Sequence, residues 1–434
     1  MNNSPYVLKV NEALEQIDRG ENLDSAYNQL GIVYGEAGEY AKSKDCFLLS
    51  IKSNPNYLDA YINLGIIYGK MKDYKTSILY LSEVLKKQSA NHLAFYNLAY
   101  AYQESGLIDE AINYYSLSIK HKPDDAKSYF NRSLLYLLKG EYNKGWEDYF
   151  GWGYRSGDLK TRNLKGKSWE GEQLKNKVIL IYCDQGYGDT INFIRYIKFL
   201  KNYGAYVVVE VQESLYRLFS EIKDIDDLVI NPKADDYECD YFTSIFGLAK
   251  YFHPDYNKQI IFPYINYQIR ERDKWKIYLG SSRNIKIGFV WKGNPIPELN
   301  NKRHLLLENY HKLFGIENTE WYSLYPEENN EIIETKQKFN NVYDLTKNIY
   351  DFSSTAAFIS NLDLIVTIDS VIAHLAGSMN IKTCLLLNFV PDWRWGLDKS
   401  TTEIYPSLKI FRQKEIGKWD LVINEIYDYI IRLI

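Results

Sequence analysis

The chain has 434 residues, enough for two or three domains that each bury a core. Apolar residues make up 46% and charged residues 25%, as in an ordinary globular protein, and the net charge of −4 argues against a broadly basic nucleic-acid-binding surface. We find no apolar run that would cross a membrane and no N-terminal secretion signal, so we expect a cytoplasmic protein. The four scattered cysteines are expected to be free thiols.

Residues 23–156 contain a pattern that recurs every 34 positions. An aromatic column and a column of small residues both follow this interval, and they consist of Tyr27, Tyr61, Phe95 and Tyr129, and of Gly31, Gly65, Ala99 and Ser133. The period is typical of a tetratricopeptide repeat, a helix pair stacked on its neighbours. We predict repeats at 23–56, 57–90, 91–124 and 125–156, after an N-terminal helix near 5–19. The array, residues 1–156, is expected to present a concave surface that binds a protein or peptide segment.

The fourth repeat departs from the pattern because Arg132 replaces the leucine of the other copies. Its end is rich in aromatic residues, as in terminal repeats that cap a stack. Trp146, Trp152 and Tyr154 are therefore predicted to form a plug that joins the array to the following residues. A direct ligand contact is the alternative.

After residue 175 short apolar runs alternate with helical stretches, which indicates parallel α/β structure. The predicted fold class is therefore α + α/β. We expect a connector at 157–174, a first lobe at 175–270, and a second lobe with a terminal helix at 284–434. Ligands of such sheets bind beyond the carboxyl ends of the strands, here in a cleft between the lobes.

A glycine-rich turn separates the first strand of this region from its helix. Gly186 and Gly188 would let a ligand approach the backbone at the positive end of the helix, next to Asp189. The two glycines also begin a dinucleotide fingerprint, but Ile191 stands in place of the third glycine. Since Glu210 ends the next strand, where a ribose-binding acid would lie, an NAD-dependent oxidoreductase remains an alternative.

The second polar segment, Thr367 to Gly377, follows a predicted strand and opens a helix. Capping of free N–H groups by itself explains Asp369 or Ser370. It does not explain His374, one turn into a helix of small and apolar residues. That side chain is either a buried histidine with satisfied hydrogen bonds or a contact for a phosphate held by the helix start.

These segments resemble bacterial glycosyltransferases of the heptosyltransferase type (family 9-type), a GT-B superfamily whose two Rossmann lobes enclose a nucleotide-sugar. A closer resemblance is to bacterial tetratricopeptide-repeat proteins that carry such a module at the C-terminus. It covers almost the whole chain and rests on five phrases in order: WEGEQLKNKVILIYCDQGYGDTINFIRY, KIGFVWKGNP, DLIVTIDSVIAHLAG, VPDWRWG and IFRQ.

The resemblance implies a role for each matching residue. Asp189 would be the general base that deprotonates the acceptor hydroxyl. Asp369 would orient the loop or sugar hydroxyls, because like charges repel it from phosphate. The implied donor and phosphate site comprises Gly186, Gly188, Lys292, Asn294, Arg303, Thr367, Asp369, Ser370 and His374. In this family the loop after Asn294 carries an Asp-Arg-Ser-like phrase, of which only Arg303 is present here. For Lys292 and Arg303 an exposed charged loop is the alternative.

Trp393 and Arg394 belong to an aromatic and cationic loop that we place near the mouth of the cleft. Stacking on a base, acceptor or sugar ring and packing between elements explain these residues equally well. No cluster with the spacing typical of metal ligands appears, so neither a metal nor a cofactor is expected, and the nucleotide-sugar is a substrate. The leading hypothesis is an inverting, metal-independent sugar transferase whose repeats recruit a protein acceptor. A scaffold with an inactive nucleotide-sugar-binding module is the alternative from another class.

Overall fold

The computed structural model describes residues 5–157, 162, 164–183, 186–230, 237–293, 305–327 and 329–434. The chain divides into two compact units, residues 1–159 and 160–434. The first unit is a helical solenoid of tetratricopeptide repeats, and the second contains two parallel β-sheets with helices. The fold class is therefore α + α/β.

The described part of the first unit contains one N-terminal helix and four helix pairs. Each pair falls within one of the four predicted repeats. The helices are α1 (Pro5–Asp18), α2 (Leu23–Glu36), α3 (Tyr40–Ser53), α4 (Leu58–Lys70), α5 (Tyr74–Lys87), α6 (His92–Glu104), α7 (Ile108–His121), α8 (Ala126–Leu138) and α9 (Tyr142–Ser156).

The small column lies where the two helices of a repeat cross most closely. A Cβ atom on Gly65 would come within 2.6 Å of Leu81, a fully buried side chain of α5. The same crossing is tied by a hydrogen bond, since the Ser77 hydroxyl donates to the Gly65 carbonyl at 2.7 Å. The period of 34 thus marks both a steric requirement and a recurring hydrogen bond.

The fourth repeat replaces the leucine with an ion pair. Arg132 donates to Asp148 from Nε at 2.8 Å and from Nη2 at 3.1 Å, and to the Ser116 hydroxyl at 2.9 Å. The aromatic residues of α9 pack within the same unit: Trp152 stacks on Tyr129 with ring centroids 4.1 Å apart, and Trp146 is buried. The Tyr154 side chain lies outside the described residues.

The first lobe of the second unit is a five-stranded sheet in which every strand pair is parallel. The strand order is β1-β5-β2-β3-β4, so the chain changes direction across the sheet between β2 and β5. Its strands are β1 (Lys167–Ser168), β2 (Val178–Tyr182), β3 (Tyr206–Val211), β4 (Asp227–Ile230) and β5 (Tyr241–Ser244), and its helices are α10 (Tyr187–Phe193), α11 (Ile197–Asn202), α12 (Glu213–Phe219) and α13 (Ile245–Phe252).

The second lobe is a six-stranded parallel sheet in the order β11-β10-β9-β6-β7-β8. This is the order of a doubly wound sheet, with its switch point between β6 and β9. Its strands are β6 (Ile285–Val290), β7 (Thr319–Ser323), β8 (Val342–Asp344), β9 (Leu364–Ile368), β10 (Thr383–Leu387) and β11 (Leu408–Arg412), and its helices are α15 (His311–Phe314), α16 (Asn330–Lys338), α17 (Phe352–Ile359), α18 (Val371–Ser378) and α19 (Asp420–Ile431).

Two segments between the predicted domains have regular structure. The stretch between the predicted lobes forms a helix, α14 (Ile269–Leu279), and the predicted connector at 157–174 contributes β1, which pairs with β5. A two-residue edge strand has no sequence period, and α14 buries only Trp275. Neither element therefore has the apolar pattern by which sequence analysis finds helices and strands.

Alanine in the small column should destabilise the array, whereas alanine one turn later should not. Both Gly65→Ala and Gly69→Ala gain about 1 kcal/mol of helix propensity in α4. At residue 65 the new methyl group meets Leu81, but at residue 69 its nearest neighbour is the Ser77 hydroxyl at 3.7 Å. We expect urea unfolding to show a loss of roughly 1–3 kcal/mol for Gly65→Ala and no loss for Gly69→Ala. Equal free energies of unfolding for the two variants would contradict the close crossing of α4 and α5 at Gly65.

Candidate functional site

The glycine-rich turn lies at the switch point of the first lobe. Strand β2 ends at Tyr182 and α10 begins at Tyr187, while residues 184 and 185 lie outside the described part of the chain. The Gly186 carbonyl accepts the N–H groups of Asp189 and Thr190, each at 3.1 Å. Asp189 is in the first turn of α10, where the free N–H groups of a helix favour a negative charge.

The second polar segment lies at the switch point of the second lobe. Strand β9 ends at Ile368, and Ser370 occupies the N-cap position of α18. Its hydroxyl does not cap the helix but lies 2.9 Å from the Thr367 hydroxyl. Asp369 between them is buried. Capping of the helix therefore does not account for Ser370, and the N–H groups at the start of α18 have no side-chain cap from it.

The structure brings these two segments together. A Cβ atom placed on Gly188 would lie 2.8 Å from Cδ2 of His374 and 3.6 Å from the Val371 Cα. The start of α10 in the first lobe therefore packs directly against the start of α18 in the second. Only glycine permits this approach without displacing the histidine ring.

His374 is buried and held by aromatic residues. Its Nδ1 lies 3.0 Å from the Tyr405 hydroxyl, and its ring stacks on Trp395 with centroids 5.3 Å apart. The Tyr405 hydroxyl donates to Asn192 Oδ1 at 3.2 Å, so it accepts from Nδ1–H of His374. In the neutral ring Nε2 is then an acceptor, and His374 donates from Nε2 to an anion only when it is protonated.

Arg394, in the loop after β10, forms an ion pair with Asp189, the candidate general base. The Arg394 guanidinium pairs with Asp189 across the lobes and with Asp392 at 2.7 Å. Burial lowers the pKa of Arg394. The negative charges of Asp189 and Asp392 raise this pKa by more than burial lowers it, so it lies above its usual value. The arginine therefore remains charged in a buried position.

Trp393 is buried as well, and not at an exposed mouth of the cleft. Its ring lies 6.3 Å from that of Phe193 and 5.9 Å from that of His253. These neighbours agree with the packing alternative, and stacking on a bound ring stays a prediction.

Lys292 follows β6 at the same edge of the sheet as the β9 segment, because Val290 pairs with Thr367 in register. Its ammonium group pairs with Glu331 at 2.8 Å and lies 4.8 Å from the centre of the Tyr325 ring. Lys292 is thus near the second switch point with a carboxylate partner. Asn294 and Arg303 lie outside the described residues.

A buried polar network between the lobes was not predicted from the sequence. Arg195 donates to the Ile404 carbonyl at 3.1 Å and to the Tyr196 hydroxyl at 3.3 Å. The Tyr196 hydroxyl in turn lies 2.6 Å from Asn257 Oδ1 and 3.0 Å from His253 Nδ1. A signal was present in the sequence, since Arg195 is a charged residue within the apolar stretch INFIRYI.

Three further findings bear on the expectations from the sequence. Glu210, the expected ribose-binding acid of an NAD site, is fully buried and forms an ion pair with Arg162. Within the described ranges no group of three or more His, Cys, Asp or Glu side chains is arranged to hold a metal ion. In the same part of the chain, no helix combines the length and apolar character needed to cross a bilayer.

Comparisons with known proteins identify the repeats. Residues 24–57, 58–89 and 93–125 match the family model described as tetratricopeptide repeat. No curated protein matches the chain. Among solved structures, MamA 41-end from Desulfovibrio magneticus RS-1 is 19% identical with a TM-score of 0.30, over 36% of this chain and 97% of that one. YrrB, described as a TPR protein with an unusual peptide-binding site, is 19% identical with a TM-score of 0.29, over 36% and 88%.

A methyl group at residue 188 should disturb the contact between the two helix starts. Gly188→Ala forces α10 or the His374 ring to move, so we expect the free energy of unfolding to fall by roughly 1–3 kcal/mol. Gly186→Ala is the matched control, because its Cβ would meet only Asp189 Oδ2, at 3.7 Å. Thermal unfolding of the two variants should therefore differ, and equal midpoints would contradict the close approach.

Acid should destabilise the fold through His253. Burial, with a smaller contribution from Arg195, lowers the pKa of this histidine from 6.5 to about 3. The unfolded chain therefore binds a proton between these values that the folded chain does not, and stability falls as the pH drops. From pH 6.5 to 5 the loss from this residue is about 1.5 kcal/mol. His253→Asn retains an acceptor near the position of Nδ1 but does not titrate. Between pH 6.5 and 5 the free energy of unfolding in urea should therefore fall by about 1.5 kcal/mol less for this variant than for the wild-type protein.

Proposed function

We propose that residues 160–434 form a metal-independent, inverting glycosyltransferase of the GT-B type, with two Rossmann lobes that bind a nucleotide-sugar. The observation that supports this most is the contact between the two switch points, where Gly188 lies against His374. Ligands of doubly wound sheets bind at switch points. A donor at the second lobe and an acceptor at the first would therefore meet beside Asp189. Almost the whole chain resembles tetratricopeptide-repeat proteins that carry a heptosyltransferase-type module, and this resemblance points to the same reaction.

In this proposal Asp189 is the general base. Its carboxylate takes the proton of the acceptor hydroxyl while the hydroxyl oxygen forms a bond to the anomeric carbon of the sugar. The bond from that carbon to the phosphate oxygen breaks, and its electron pair leaves with the nucleoside diphosphate. Attack from the face opposite the phosphate inverts the configuration at this carbon.

The leaving diphosphate would rest on the start of α18. Backbone N–H groups there supply donors, and His374 adds one from Nε2 when protonated. The Thr367 hydroxyl donates to the Ile368 carbonyl and therefore accepts from Ser370, so these two hydroxyls would have to turn to donate to a phosphate. Asp369 would orient the loop or the sugar hydroxyls. Lys292 adds positive charge beside β9, and Asn294 and Arg303 complete the proposed donor site. Preorganised donors of this kind stabilise the developing charge without a metal.

The repeat array would recruit a protein acceptor in the cytoplasm. Helices α2 and α4 contact each other, as do α4 and α6, so the first helices of the repeats line the inner side of the array. Their side chains include hydrogen-bonded amides, such as Asn63 with Asn28 at 2.9 Å and Asn131 with the Tyr96 hydroxyl at 3.1 Å. Amide groups both donate and accept, which suits the backbone of an extended peptide.

The proposal predicts stabilisation by a nucleotide-sugar and transfer that depends on Asp189. Thermal unfolding would be measured with UDP-, CMP-, GDP- and ADP-linked sugars and with NAD. The stabilising donor, isotope-labelled, would then be incubated with lysate, and the labelled product identified by mass spectrometry. Asp189→Asn should lose at least 100-fold in transfer, the usual contribution of a general base, but should still be stabilised by the donor.

The outcomes separate the possible functions. Full transfer by Asp189→Asn removes this residue as the base. Stabilisation by a nucleotide-sugar without transfer would favour the scaffold with an inactive binding module. Stabilisation by NAD alone would favour the oxidoreductase.

A further inference from the structure

Arg394 belongs to the second lobe, but its side chain is embedded in the first. It follows β10 and lies in a 3-10 turn, Trp393–Trp395. The guanidinium carbon is 5.6 Å from the ring centre of Phe193 in α10, 5.3 Å from that of Phe246 in α13 and 4.6 Å from that of Trp393. Only 8% of the side chain is exposed. Aromatic rings from both lobes therefore surround one cation.

Two carboxylates hold the guanidinium from opposite lobes. Asp392 accepts from Arg394 Nη1 at 2.7 Å and from its backbone N–H at 3.1 Å, which fixes the arginine in its own turn. Nη2 donates to Asp189, a residue 205 positions earlier in the chain. The Nε–H group is buried and has no hydrogen-bond partner within the described ranges. A continuous series of charged hydrogen bonds thus crosses the lobe boundary, from Asp392 through Arg394 to Asp189.

This arrangement constrains the carboxylate of Asp189. A side chain in the first turn of a helix rotates between staggered conformers unless a contact selects one. A charged hydrogen bond to a rigid, buried guanidinium selects one orientation, and burial strengthens it. If Arg394 is removed, a partly buried carboxylate loses its cation, which is costly.

We propose that Arg394 is a cross-lobe positioning residue that holds the Asp189 carboxylate in its working orientation toward the donor site at α18. The base and the donor site are then assembled together only while the lobes are in contact. This role rests on the proposed glycosyl transfer, and it replaces the stacking role predicted for Arg394.

The physical coupling is tested without any ligand by a double-mutant cycle. Asp189→Asn, Arg394→Met and the double variant would be followed by thermal unfolding of the full chain. Asp189→Asn removes one of the two carboxylates that hold the buried Arg394 cation, and Arg394→Met removes the cation from both carboxylates, so we expect midpoints lower by roughly 6–10 °C. The double variant should lie near the worse single variant. If the two shifts add, Arg394 and Asp189 are not coupled and the proposal fails.

The catalytic consequence is tested with the UDP-, CMP-, GDP- or ADP-linked sugar that labels the acceptor. Arg394→Met should lower kcat by at least 10-fold and change KM for this donor less than threefold, because donor contacts remain. Arg394→Lys should recover part of kcat, since lysine restores the charge. An unchanged kcat in Arg394→Met overturns the proposal even if the cycle shows coupling.

Arg217→Met is the matched control, because Arg217 also pairs across the lobes, with Asp351 at 2.8 Å, but its side chain is 35% exposed. We expect a small change in midpoint and an unchanged kcat. A loss of kcat equal to that of Arg394→Met would show that any cross-lobe pair has this effect and would overturn the specific role. If the wild-type protein transfers no sugar, the proposed function fails and the catalytic role of Arg394 fails with it. A coupled cycle would then still establish the ion pair.

Discussion

The close approach of Gly188 to the His374 ring is the constraint on which the rest of the site depends. Without a side chain at residue 188, the start of α10 packs on the start of α18. The same helix and the 3-10 turn that follows it make further contacts between the lobes. Asp189 reaches Arg394, Asn192 accepts from Tyr405, and Arg195 reaches the Ile404 carbonyl. One helix therefore carries the candidate base and much of the polar contact between the two sheets.

Two cations near the candidate site form ion pairs with carboxylates. Arg394 is held by Asp189 and Asp392, and Lys292 is held by Glu331. Neither cation is poised as an isolated charge for a phosphate. For a bound diphosphate the N–H groups at the start of α18 therefore become more important. The buried His374 adds a donor to an anion only in its protonated form, because Tyr405 engages Nδ1.

The two units differ in how far their sequence predicts their structure. In the array each repeat packs on its immediate neighbours, so one period of 34 contains both the helix pairs and the small-residue crossings at Gly31 and Gly65. The exception is Arg132, whose partner Asp148 lies in the next helix and has no column in the pattern. In the second unit the alternation of apolar runs and helical stretches predicted parallel α/β structure, but β1 and α14 were not predicted, because neither has a strong apolar period.

The sequence by itself determined the repeats, the alternation of strands and helices, and the glycine and polar segments that follow β2 and β9. These features depend on local periods of hydrophobicity and on residues that turns and helix starts require. Only the tertiary structure decided which side chains meet there: Gly188 with His374, and Asp189 with Arg394. Those pairs join residues far apart in the chain, and they follow from the order of strands in each sheet and the packing of one lobe on the other. No local sequence pattern specifies the strand order or the packing of the lobes.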